Sequence, residues 1–350
     1  MLRRRFLTTT AGAGLALAAP AILAGRAGAQ DTITLRMHQF LPPQANVPAH
    51  ILIPWAERVT AAAGGRMKVE VFSAMALGGT PPQLMDQARD GVVDIVWTLP
   101  GYTPGRFPST EVFELPFMMT NAEATSRAYW SLFESDMQDT EFRDVKILGT
   151  WVHGPGVIHA KGEGIRGLED MAGKKLRGPT RIIADMLAEM KAEPVAMPVP
   201  AIPEALSKGV IDGTVIPWEV TPALKIAELV DTHTELSGDR ALYTASFVLA
   251  MNKPRFESLP DDMKAVIEAH SGLEFSALAG RTMQEYDAPG RKLAEDAGND
   301  IVVLDEDEVA RWRSAAQPVI DRWVADMDDK GRDGNGVVAK ARALIDQNTG

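Results

Sequence analysis

The chain has 350 residues, a formal net charge of −11 at pH 7 and no cysteine. The lack of cysteine excludes disulfide bonds, thiolate metal sites and cysteine nucleophiles, and the acidic balance argues against nucleic acid, which requires a basic surface. A hydrophobic fraction of 45% over this length is enough for a sizeable core, which we expect to be divided between two domains.

Residues 1–29 are predicted to be an export signal of the twin-arginine type. Arg3, Arg4 and Arg5 precede a short apolar stretch at 11–24, and residues 27–29 (AGA) form a small-residue cleavage site. We therefore expect a mature protein that starts near Gln30 in the periplasm. Export in the folded state is favoured, while the general secretory route and an uncleaved anchor are the alternatives. Loss of four arginines would leave 32 basic against 47 acidic residues, a charge of −15.

The first half of the mature chain alternates between strand and helix patterns. Apolar strands are predicted at 33–40, 67–72 and 92–97, with amphipathic helices at 48–63 and 83–89 between them. This order predicts a parallel sheet with crossover helices. A connection rich in proline and aromatic residues follows at 107–117, then a helix at 121–133 and a strand at 145–151.

A short repeat indicates two similar lobes. Residues 91–94 (GVVD) recur 118 positions later as 209–212 (GVID), and each copy follows a short helix and leads into an apolar segment that ends with Trp and Pro. We therefore predict two α/β lobes with a ligand cleft between them.

The second half repeats the β-α-β-α-β order and then returns to the first lobe. A short strand ends in Arg177, a helix covers 182–191 and an extended segment covers 194–200. The apolar run 241–251 is predicted to rejoin the first sheet. Residues from about 260 to 297 read as one long helix that bridges both lobes, with a kink at Pro289. A strand at 301–304 and a helix at 305–330 follow.

These patterns predict the extent of each lobe. Lobe I is predicted to comprise residues 30–150 and about 241–275, and lobe II about 151–240 and 298–335, followed by a C-terminal tail at 336–350.

Motifs for catalysis are absent from the sequence. It contains no GxSxG, HExxH, Walker or GxGxxG pattern, its six histidines are scattered, and no acid–base pair stands out by spacing. Binding is therefore the leading hypothesis. An exported α/β enzyme that acts on a carboxylated substrate, and a ligand-sensing subunit, are the alternatives.

Arg177 is the leading candidate for ligand binding. It ends a strand just before the Gly178-Pro179 turn, and open α/β sheets bind ligands beyond the carboxyl ends of their strands. The planar guanidinium can hold a carboxylate through two parallel hydrogen bonds.

Several motifs together carry a family resemblance. They are the strand end at His38 and residues 77–79 (LGG), 91–95 (GVVDI), 112–117 (VFELPF), 173–177 (GKKLR) and 209–213 (GVIDG). In this order the mature chain resembles, nearly end to end, the DctP-type periplasmic solute-binding proteins of tripartite ATP-independent periplasmic (TRAP) transporters. The resemblance implies two lobes joined by a hinge, with a long helix across both. It also implies a cleft that closes on a solute and delivers it to the small and large membrane permease subunits for ion-coupled uptake. In that family the Arg at position 177 usually holds a substrate carboxylate.

One departure from the family bears on the ligand. Many relatives carry an Asn where this chain has Ile216, which casts doubt on a small C4-dicarboxylate. A C4-dicarboxylate and a keto acid are kept as alternative ligands. Aromatic residues at strand ends, Trp97 among them, instead favour an aromatic or other apolar monocarboxylate. No cofactor is expected, although Glu219 is a candidate contact for a ligand hydroxyl or a cation, with a surface or lobe-bridging role as the alternative. The predicted ligand-binding residues are Arg177, Trp218, Pro217, Glu219, Trp151, His38, Gln39, Phe40, Tyr102 and Tyr243.

Overall fold

The computed structural model describes residues 32–349, so the signal predicted at 1–29 lies outside the described residues. A five-stranded sheet has the order β2-β1-β3-β10-β4, in which β10 is antiparallel to both neighbours. Its strands are β1 (Ile33–His38), β2 (Met67–Phe72), β3 (Ile95–Thr98), β4 (Val145–Val152) and β10 (Ser246–Asn252).

A second, six-stranded sheet repeats this plan. Its order is β11-β9-β5-β8-β6-β7. Its strands are β5 (Val157–Ala160), β6 (Lys175–Gly178), β7 (Glu193–Ala196), β8 (Gly213–Ile216), β9 (Thr232–Leu236) and β11 (Asp300–Leu304). The parallel trio β2-β1-β3 corresponds to β7-β6-β8, and an antiparallel strand, β10 or β5, flanks each trio on the same side. The predicted α/β class with two similar, mostly parallel sheets is confirmed.

The repeated Gly-Val-x-Asp motif has the same local function in both sheets. The Asp94 carboxylate accepts a hydrogen bond from the backbone N–H of Arg36 at 2.7 Å, and Asp212 accepts one from the N–H of Lys175 at 2.9 Å. Each aspartate thus ties the turn before the third strand to the central strand of its trio. Val92 belongs to this turn and is 54% exposed. The strand β3 therefore begins at Ile95, three residues later than predicted.

Helices cover both sheets. In chain order they are α1 (Ile53–Ala62), α2 (Leu84–Arg89), α3 (Ala122–Leu132), α4 (Arg181–Glu189), α5 (Ile202–Ser207), α6 (Thr221–Leu224), α7 (Lys253–Glu257), α8 (Asp261–Ala269), α9 (Leu273–Glu285), α10 (Asp287–Asp296), α11 (Glu306–Asp329) and α12 (Gly334–Thr349). Asn121 caps α3 by accepting a hydrogen bond from the N–H of Ala124. No helix between residues 32 and 349 is long and apolar enough to cross a membrane.

The long helix predicted from about 260 to 297 is three helices, α8, α9 and α10. Gly272, at φ +88°, separates the first two because this backbone conformation cannot continue a right-handed helix. The second break falls at Tyr286, since Pro289 has no N–H to donate to the carbonyl of Glu285 and its ring crowds that carbonyl. The segment still reaches both sheets, because α9 packs on α3 and β4 whereas α10 packs on β11 and the turn after β8.

The predicted C-terminal tail at 336–350 is helical over its described part. Residues Gly334–Thr349 form α12, which packs on α3 and α11 through buried side chains such as Ala341 and Ile345. The Gly- and Asp-rich sequence before it masked the helical spacing of these apolar residues.

Candidate ligand-binding site

A cavity lies where the two sheets meet. It measures about 400 Å³, including the part that is open to solvent. The first sheet contributes residues at the carboxyl ends of β1, β3 and β4 and the amino end of β10, and the second contributes the carboxyl ends of β6 and β8. The lining comprises Phe40, Leu41, Trp97, Leu99, His153, Arg177, Pro179, Val199, Val215, Ile216, Pro217, Glu219, Val220, Tyr243, Ala245, Phe247 and Met283.

Arg177 is a buried cation with part of its guanidinium unpaired. The residue is 1% exposed. Its Nε donates to the carbonyl of Met197 at 2.9 Å and Nη1 donates to that of Val215 at 3.3 Å, whereas Nη2 has no partner among residues 32–349. Burial lowers the pKa of Arg177, but the normal value is so high that the group stays charged at neutral pH. A desolvated charge without a counter-ion is costly, so this arrangement is suited to an anion.

Two neutral donors on the lining are also unpaired. The Tyr243 hydroxyl and the Trp97 indole N–H are buried and have no hydrogen-bond partner within the described chain. Gly156 makes room for the tyrosine, because a Cβ at position 156 would lie 2.0 Å from the Tyr243 ring. Together with Arg177, these groups give the cavity three unpaired hydrogen-bond donors.

Aromatic rings form one wall of the cavity. The Phe40 and Trp97 rings stack with centroids 4.5 Å apart, and Phe247 stacks on Trp97 at 5.3 Å. All three are buried. Together these rings give the lining an apolar contact surface for a ligand.

His153 lines the cavity as a neutral side chain. Its Nε2 accepts the backbone N–H of Ala245 at 3.0 Å, so the ring proton is assigned to Nδ1, which lies 2.5 Å from the carbonyl of Gly154. Burial lowers the pKa of His153 to about 4. The imidazole therefore adds no second positive charge beside Arg177.

Apart from Arg177, the wall formed by the second sheet is apolar except for one carboxyl group. Ile216 is buried and lines the cavity, as its position in the family motif implied. Glu219 is 5% exposed, and its Oε2 accepts a hydrogen bond from Asn46 Nδ2 at 3.0 Å. Burial raises the pKa of Glu219 to about 8, so the group is mostly protonated at neutral pH.

Of the ten predicted ligand-binding residues, five line the cavity. They are Phe40, Arg177, Pro217, Glu219 and Tyr243. Strand-end position was the signal that located most of them.

The other five lie outside the lining. His38 bonds to Gln87 and to the N–H of Leu77, and the Gln39 amide bonds to the backbone of Leu41. The Tyr102 hydroxyl accepts the N–H of Val199. Trp151 packs behind Trp97, whereas Trp218 donates to Glu235 and packs on His159 and His233.

Sequence reasoning missed several lining residues. His153 follows the end of a correctly predicted strand, so the strand-end rule could have identified it. Phe247 lies inside the predicted 241–251 strand, and Met283 lies on α9. No local signal marks Met283, because its place depends on how α9 packs against the sheets. Within residues 32–349 no group of three or more His, Asp or Glu side chains is arranged to hold a metal ion.

Comparison with known proteins agrees with this geometry. The family model "Bacterial extracellular solute-binding protein, family 7" (DctP) matches residues 42–326. A TRAP solute-binding protein from Rhodoferax ferrireducens, solved with copurified benzoate, is 49% identical over 91% of this chain and 99% of its own, with a TM-score of 0.89. A marine metagenome TRAP protein specific for aromatic acid ligands, solved with 3-hydroxybenzoate, is 47% identical with the same coverage and TM-score. A TRAP protein from Bordetella bronchiseptica with bound mandelate is 30% identical over 90% of this chain and 99% of its own, with a TM-score of 0.83.

Proposed function

The chain belongs to family 7 of the bacterial extracellular solute-binding proteins and is a TRAP solute-binding protein, and we propose that its solute is an aromatic monocarboxylate. The observation that carries this proposal is the unpaired Nη2 of Arg177 on a cavity with an aromatic wall. A carboxylate there would satisfy the guanidinium and receive hydrogen bonds from Tyr243 and Trp97. The ring would lie against Phe40, Trp97 and Phe247.

The lining favours one carboxylate over two. Among the described lining residues Arg177 is the one fixed cation, since His153 is neutral. A second carboxylate would face Ile216 or the carboxyl of Glu219 and would lose its hydration without compensation. The relatives solved with benzoate and 3-hydroxybenzoate support the same class of ligand.

The wider role follows from the family. We propose that the two sheets form the cores of two lobes that close on the solute, and that the closed protein delivers it to the TRAP membrane subunits from the periplasm. Hydrogen bonds join residues that border the two sheets. These contacts support the proposal that the closed arrangement of the lobes is the ligand-bound one. Thr180, just after β6, donates to Glu114, which also accepts two hydrogen bonds from Ser246 of β10. On this proposal the protein binds its ligand without converting it.

A ligand screen tests the proposal. Thermal unfolding is measured with benzoate, with uncharged benzamide and with succinate, because a ligand that binds the folded state raises the melting temperature. We expect stabilisation by benzoate and little or none by the other two at equal concentration. Stabilisation by succinate but not by benzoate would contradict the proposal. Recovery of unchanged benzoate after long incubation distinguishes binding from turnover.

A further inference from the structure

Glu219 lines the cavity apart from the Arg177 donors and is hydrogen-bonded to Asn46, which lies outside the lining. Glu219 follows β8 of the second sheet, and Asn46 follows β1 of the first. Both are buried, and the Asn46 amide is the one hydrogen-bond partner that the Glu219 carboxyl has among residues 32–349. Arg177 and Glu219 form no ion pair, so the two groups can contact different parts of one ligand.

Glu219 has unused hydrogen-bonding capacity on the cavity lining. It uses one of its two carboxyl oxygens to accept from Asn46, which lies outside the lining. Buried polar groups in folded proteins are normally paired, so the second carboxyl oxygen of this lining residue is available to a partner supplied by the ligand. A protonated carboxyl group can both donate and accept, which matches a hydroxyl group.

We propose that Glu219, positioned by Asn46, binds a hydroxyl group on the ring of the aromatic acid, so that ring-hydroxylated acids are the preferred ligands. This inference rests on the proposed function, because Arg177 must hold the carboxylate for the ring to reach Glu219. Away from the three donors at Arg177, Tyr243 and Trp97, the lining is otherwise apolar or internally bonded. A ring hydroxyl placed elsewhere would lose its hydration without a partner.

Glu219 could instead act as a latch between the sheets. The Asn46–Glu219 hydrogen bond joins residues 173 positions apart in the sequence, and it would then stabilise closure on any ligand. A latch affects all ligands equally, whereas hydroxyl recognition affects only those that carry the group. The ratio of two affinities therefore separates the roles.

The experiment is calorimetric titration at pH 7 of wild type, Glu219→Gln and Glu219→Met. The ligands are benzoate, the three hydroxybenzoates and the corresponding methylbenzoates, which match the hydroxyl in size but not in polarity. Gln retains a donor and an acceptor, and Met removes both at similar volume. Melting temperatures without ligand establish that each variant is folded.

We expect the best hydroxybenzoate to bind wild type more tightly than both benzoate and its methyl analogue, by about 2- to 10-fold, the range of one net hydrogen bond. Glu219→Gln should keep most of this advantage, and Glu219→Met should lose it or prefer the methyl analogue. The same ratio in Glu219→Met as in wild type, or no hydroxyl advantage in wild type, would overturn this inference while benzoate binding upheld the proposed function. Failure of benzoate and of all hydroxybenzoates to bind wild type would overturn both.

Discussion

Arg177→Met should abolish ligand binding without destabilising the ligand-free protein. The substitution keeps most of the buried side-chain volume and removes the guanidinium. A carboxylate held by two charge-assisted hydrogen bonds gains about 1.5–3 kcal/mol from each. Loss of both therefore predicts a decrease in benzoate affinity of at least about 100-fold.

The stability of this variant is the more distinctive readout. In the ligand-free protein Arg177 donates two hydrogen bonds to backbone carbonyls, each worth about 1.5–3 kcal/mol net because the donor is charged. Burial of the charge without a counter-ion costs several kcal/mol, which offsets this gain. The free energy of unfolding should therefore change little in Arg177→Met, as expected for a group kept for binding rather than for folding.

Calorimetric titration with benzoate and thermal unfolding without ligand measure the two effects. Arg166→Met is the matched control, because Arg166 lies in the same half of the molecule and its side chain is 56% exposed. Arg177→Lys keeps the positive charge but loses the planar guanidinium that can donate two parallel hydrogen bonds. This variant should therefore bind benzoate with intermediate affinity. Benzoate affinity within about threefold of wild type in Arg177→Met, or a large fall in its melting temperature, would refute the reasoning.

Three further predictions follow from the described contacts. Trp97→Phe should weaken benzoate binding about 2- to 10-fold because it removes an unpaired donor from the cavity, whereas Trp218→Phe should leave affinity unchanged; equal losses in calorimetry would contradict this assignment. Because the folded protein holds a proton on Glu219 up to about pH 8 while the unfolded chain releases it near pH 4.5, this group should make the free energy of unfolding fall as pH rises between these values. Denaturant titrations across that pH range should show a smaller decrease in the free energy of unfolding for Glu219→Gln than for wild type. An equal decrease in the two proteins would refute the pKa assignment. Thr180→Val removes a hydrogen bond to Glu114 between the sheets and should weaken benzoate binding about 2- to 10-fold; wild-type affinity would show that this contact does not support the bound state.

Predictions succeeded where the signal was local. The place of Arg177 on the cavity lining was predictable because a strand that ends in Arg before Gly-Pro carries that side chain to the carboxyl edge of the sheet. The direction of Trp218 was not, since neighbouring side chains in a turn point different ways and the indole packs on His159 and His233 instead of the cavity. The prediction of one continuous helix from about 260 to 297 was also wrong. The helical spacing of apolar residues continues through Gly272 and Tyr286, but the helical backbone is interrupted at both positions.

The class of the fold, the internal repeat and the strand-end position of Arg177 could be predicted from the sequence, because strand and helix periodicity, turn residues and the Gly-Val-x-Asp motif all act over short distances. By contrast, the rings that form the wall, the donors that remain unpaired and the partner of Glu219 depend on tertiary packing. These properties arise when two sheets pack together. The Glu219–Asn46 contact spans 173 positions, so no local pattern encodes it. The identity of the ligand depends on that packing, since a pocket recognises a solute by the relative placement of groups from distant segments.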